Sequence, residues 1–157
     1  MTKFLLSAHV IAAIVAIGPV TVAASMFPAA VRRAQTAGAD ADAGATASVR
    51  LLHRICRVYA LLGIAVPVFG FATASAMGVL TDPWLLVSIA LTAVAAGLLA
   101  LAVLPRQDAL LGRIDGGGAP VERAETARLA MLTGVFNLLW AVVTVLMIVR
   151  PGSTTGA

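Results

Sequence analysis

Few side chains in this sequence can do chemistry, and fewer still lie where chemistry would be out of the ordinary. His9 stands in an otherwise apolar run, Phe4–Met26. An imidazole in such a setting must find a partner, and an ionisable residue at membrane depth marks a functional site by default. Two readings of His9 are open. As a neutral ring it is a candidate axial ligand to haem b, or a ligand to a metal. As a packed side chain it bonds to a backbone carbonyl or a neighbouring side chain. His53 opens a later apolar run in a basic turn with Arg50, Arg54 and Arg57. That turn suits a collar against anionic head groups, and Arg54 and Arg57 are the candidates to contact an anion or the propionates of a haem. His53 itself is read as a structural polar residue, because the two histidines fall near opposite membrane surfaces and cannot share one iron. Asn137, in mid-run near the C-terminus, is read as a second structural polar group, bonding across helices.

The rest of the inventory is poor in reactive groups. All seven acids fall in connections or at helix ends, so no carboxylate is placed in mid-membrane where proton or cation coupling would need one. There is no Walker-type phosphate loop, no H-E-x-x-H and no Ser-His-Asp set, and Gly116–Gly118 lacks the spacing of a dinucleotide loop. Cys56 is the single cysteine, which rules out an intrachain disulfide and a C-x-x-C pair. The expectation is a non-catalytic protein.

The elements that carry these residues are transmembrane helices. The chain has 157 residues, 61% hydrophobic and 11% charged, with a mean hydropathy of +1.00; charged residues make up about 25% of ordinary soluble domains. Four runs, about 4–26, 58–80, 84–104 and 129–149, are long enough to cross the ~30 Å hydrocarbon core at ~1.5 Å per residue. The expectation is all-α, a single four-helix transmembrane domain over 1–157 with cytoplasmic connections at 27–57 and 105–128. The first run is read as a retained helix rather than a cleaved signal, with His9, Ala13, Ala16, Val20 and Ala23 on one inward side. Phe27–Val49 reads as a loop. Pro67 predicts a kink that frees the carbonyl of Gly63, and Gly70, Ala74 and Gly78 read as one contact face. Asp82 is the expected cap before Pro83, and Trp84 an interfacial aromatic. The third helix has two small-residue faces, Ser88/Thr92/Ala95 and Ala93/Gly97/Ala100, and is expected to end at Pro105. In the fourth, Thr126, Ala130, Thr133, Asn137, Ala141 and Thr144 form a stripe facing protein. The tail Ser153–Ala157 is expected to be disordered.

Orientation follows from the basic residues. Of the 11 lysines and arginines only Lys3 and Arg150 flank one side; the other nine lie on the 27–57 and 105–128 side. The asymmetry places that side in the cytoplasm and both termini outside it. It also accounts for the sequence pI of 10.6 without nucleic acid, since basic stripes with interleaved aromatics are missing. The partners expected are the lipid bilayer and either another membrane protein or a second copy.

With His9 followed nine residues later by Gly18, an Arg/His-rich start and a central proline in the second run, and Arg150-Pro151 closing the fourth, the whole chain resembles a bacterial family of predicted integral membrane proteins, domain of unknown function 2269. The resemblance implies a four-helix bundle of no established activity in a bacterial inner membrane. Its first two helices are more distantly similar to the membrane protoporphyrinogen oxidase and copper-resistance D groups. That likeness implies haem or metal handling at His9 with the Arg54/Arg57 turn, and a porphyrin or quinone oxidoreductase as a further alternative.

Overall fold

The structure, a computed structural model, describes residues 1–36 and 39–152, with the backbone alone at 39–42. Gly38, the side chains of Asp40 and Asp42, and the tail 153–157 lie outside the described residues. Among those described there is no strand; four helical stretches are long and apolar enough to cross a membrane. The first is α1 (Thr2–Thr36), the second α2 (Ala39–Leu62) with α3 (Ala65–Met77), and the fourth α6 (Arg123–Val149). The third is α4 (Pro83–Leu98), a π-helical turn (Leu99–Val103) and α5 (Leu104–Asp115).

The stretch α1 packs along both α2 and α3 on one side and along α6 on the other, α4 packs on α6, and α2 meets α5. The result is a four-cornered bundle in which each stretch touches its neighbours around the ring. The second and fourth stretches are therefore held mainly through α1 rather than by packing directly on each other. The main core joins Val20, Ala24, Phe27 and Val31 of α1 to Cys56, Val103 and Leu129. A smaller cluster of Ala74, Trp84 and Leu85 closes the opposite end. Outward the chain is apolar too: Ile14 is 67% exposed and Leu101 81%. For a soluble domain such a surface would be a liability; for a bundle in lipid it is the solvent-facing side.

Several sequence expectations are corrected. Residues 27–36 and 39–49 are helical rather than a loop, with Phe27, Val31 and Val49 fully buried. Alanine, which occurs repeatedly in both segments, has the highest helix propensity, and an inward apolar stripe supplies the packing that polarity on the other side concealed. Pro19 and Pro28 are both accommodated inside α1. The Pro67 distortion sits one turn earlier, at Gly63–Ile64, where Val66 N–H donates to Gly63 O at 3.1 Å; the carbonyl left idle by proline is thereby occupied. Gly78 is no contact residue: with φ of +71° it ends α3, and Val79 N–H donates back to Ala74 O at 3.2 Å.

Pro105 does not end the third stretch. The buried positions Ala95, Leu99, Val103 and Gln107 recur every fourth residue, whereas three α-helical turns span ~10.8 residues. The excess of about one residue is taken up by the π turn, which keeps the same side facing the bundle and removes the clash that proline brings to a regular helix. Only the Ser88/Ala95 side of α4 is buried; Ala93 and Ala100 are exposed. In α6 the inward stripe is Thr126, Leu129, Thr133, Phe136 and Val143, with Ala130, Ala141 and Thr144 outside. Asp82 Oδ2 accepts from Trp84 Nε1–H at 3.0 Å instead of capping the helix with its side chain. Trp84 is buried beneath Arg150, whose guanidinium carbon is 5.7 Å from the ring centroid.

Candidate functional site

His9 is placed by the long, unbroken α1 on the side that also carries Ala16, Val20 and Ala23. It is half-buried, and its Nδ1 lies 2.9 Å from Val66 O. A carbonyl accepts only, so Nδ1 carries the proton, and in the neutral ring Nε2 holds the lone pair. The ring lies over Gly70, where a Cβ would come within 2.9 Å of His9 Cε1; glycine is required for this approach. The site is thus built by three local features of the sequence: a histidine on the small-residue side of α1, the Gly63–Pro67 distortion in the second stretch, and a glycine one turn further on.

The other candidates do not converge on it. Phe27 lies 18 residues beyond His9 on α1, ~27 Å along the axis, and the His53 ring is 6.4 Å from that of Phe27. Arg54 and Arg57 precede Val66 by twelve and nine residues on the second stretch, ~18 and ~14 Å along it; both are exposed at the arginine-rich end. They do not gather with His9 around one cofactor. Asn137 Nδ2 donates to Ser25 Oγ at 3.1 Å, joining α6 to α1, and Ser25 in turn donates to Thr21 O at 2.7 Å.

His53 differs from the expected collar. It is buried, Nδ1 lies 3.1 Å from Gln107 Oε1, and the Gln107 amide donates to Cys56 Sγ at 3.6 Å. Nε2 is 2.8 Å from Asp108 Oδ1, with the carboxylate off the line of N–H donation, so the contact is one of proximity rather than a directed hydrogen bond. This buried polar group of α2 and α5 was missed by reading the chain linearly. The local trace is slight: His53 and Cys56 are three apart on α2 and share a side, while Gln107 is brought to them by the fold. Among the described residues no group of three or more His, Cys, Asp and Glu is arranged to hold a metal. Around His9 the fit to a haem or metal is that of a single ligand: an Nδ1–H fixed on a carbonyl is the arrangement that orients a ligating imidazole.

The family model described as Predicted integral membrane protein (DUF2269) matches residues 3–151, and the chain belongs to that family. No curated protein and no solved structure matches the chain.

Proposed function

We propose, with membership of that family as the premise, that the protein is a non-catalytic accessory or assembly component of a bacterial inner membrane. The observation that carries this reading is the engagement of His9: the one ionisable side chain of the first apolar run ties α1 to the distorted backbone of the second stretch through Val66. Asn137 serves the same purpose between α6 and α1. The exposed Ala93 and Ala100, with open space over Gly97, supply a small-residue surface for a membrane-protein partner or a second copy. The arginine asymmetry supports both termini outside the cytoplasm, and the Arg54/Arg57 turn suits anionic head groups at the inner surface.

A second reading draws on the same geometry. The Nδ1–H···O=C bond leaves Nε2 available as a ligand, so a haem b or metal site centred on His9 is the alternative. A porphyrin or quinone oxidoreductase is the further alternative, resting on the likeness of the first two helices alone. An absorption spectrum and elemental analysis of the detergent-purified protein decide between the readings. The scaffold reading expects a colourless, metal-free protein that shows no His9-dependent spectrum after reconstitution with haem. A Soret band removed or shifted by His9→Ala would overturn it.

A further inference from the structure

A cleft of ≈ 520 Å³ opens where the end of α1 passes the start of α6, lined by Arg32, Gln35 and Thr36 on one side and Val121, Arg123 and Thr126 on the other. Its size lies in the ~300–1,000 Å³ range of small-ligand sites. The walls are tied in place. Gln35, with its amide in the orientation that matches donors to acceptors, clasps the backbone of Val121, donating to its carbonyl at 3.2 Å and accepting from its N–H. Thr36 Oγ1 donates to the carbonyls of Arg32 and Arg33 at 3.2 Å each, and Thr126 Oγ1 to Arg123 O at 2.9 Å. These polar groups are spent on backbone, and the two guanidiniums remain.

Arg32 and Arg123 have no carboxylate partner among the described residues. The acids next to Arg123 are occupied: Glu122 and Glu125 form a reciprocal capping box, and Glu125 also accepts from Arg113 at 2.6 Å. The C-terminal end of α1 and the N-terminal end of α6 both border the cleft, and their dipole charges of about half a unit are of opposite sign and offset. Neither guanidinium is paired with a carboxylate among the described residues, and both line open space. Their depth is matched: Arg32 follows Met26 by six residues and Arg123 precedes Leu129 by six, ~9 Å beyond the apolar runs at ~1.5 Å per residue. That is the head-group layer, within reach of side chains as long as arginine. Toward the membrane the same two helices continue as apolar stretches long enough to cross it, in reach of acyl chains.

We propose that this cleft binds the phosphate head group of an anionic phospholipid, with Arg32 and Arg123 as its two cationic contacts. A soluble phosphate offers the same charge but has no use for the apolar helix surfaces below. The site is independent of whether His9 binds a cofactor.

The test is native mass spectrometry of the full-length protein in detergent, titrated in parallel with dioleoyl-phosphatidylglycerol and dioleoyl-phosphatidylcholine. Phosphatidylglycerol should bind at least about tenfold more tightly, as expected for two cations near the surface, and this preference should shrink as salt is raised. The pair Arg32→Gln with Arg123→Gln should abolish the preference, while Arg106→Gln with Arg128→Gln, the same change in net charge at exposed arginines outside the cleft, should retain it. Equal binding of the two lipids, equal loss in both pairs, or displacement of phosphatidylglycerol by millimolar inorganic phosphate would each overturn the proposal. The wild-type preference is measured without any substitution, so the outcome does not depend on the variants folding.

Discussion

At the scale of single residues, His9 and Gly70 form one unit. A methyl group at residue 70 would meet His9 Cε1 at 2.9 Å, so Gly70→Ala should push the ring off and break the bond to Val66 O. Overpacking of this kind costs about 1–3 kcal/mol, as does leaving a buried partner unsatisfied in His9→Ala. Because both substitutions remove the same contact, the double variant should cost clearly less than the sum of the singles. Thermal melts of the four proteins in detergent provide the cycle; strict additivity would separate the two residues. Gln107 is the corresponding residue at the other end. Gln107→Leu keeps the volume but strands His53 Nδ1, and should destabilise by about 1–3 kcal/mol, whereas Arg54→Gln, on an exposed side chain, should fall within about 0.5 kcal/mol of wild type.

At the scale of elements, the π turn makes a prediction of its own. If Leu99–Val103 exists to absorb one surplus residue, deleting Leu101 should convert it to ordinary α-helix with Val103, Gln107 and Leu110 still facing the bundle. That deletion should melt close to wild type, while deletion of Leu91, in the regular part of α4, should rotate every later residue by about 100° and unfold the protein or abolish its expression. The connection between α5 and α6 carries a pH dependence. The Arg113 guanidinium, together with the Glu122 amide, holds the Glu125 carboxyl below the usual carboxylate range; Glu125 lies before the apolar run that starts at Leu129. A depressed folded value means that its contribution is complete above the ordinary carboxylate value of ~4.3 and disappears as the pH falls through the folded one. Melts of wild type and Glu125→Gln should therefore differ at neutral pH and converge on acidification below that point.

At the scale of the whole molecule, the proposed orientation rests on the arginine-rich end. With Cys56 replaced by Ala, Asp40→Cys should be protected from an impermeant maleimide in intact cells and Thr155→Cys should be labelled. Labelling of position 40 from outside would invert the topology and move the Arg32–Arg123 cleft to the outer leaflet.

The number and apolar character of the membrane-crossing stretches were legible from the sequence alone, because a ~30 Å hydrocarbon core demands a run length that few other constraints produce. The inward side of α1 was legible for a similar reason: small residues at helical spacing have little purpose in lipid except to let backbones approach. Local spacing could not say which neighbour each side meets. Gly70, Ala74 and Gly78 share one spacing but meet, respectively, an imidazole, the Trp84 cluster and the end of a helix. It could not show that His53 turns inward, since a histidine among three arginines looks like surface until Gln107, 54 residues away, is brought to it. It also could not show that Pro105 would be carried by a π turn, because the burial on either side of the proline is decided by α2 and α6. Hydrophobicity acts on the segment and is written into it; hydrogen bonding of isolated polar groups acts between segments, and only the packed bundle supplies the partners.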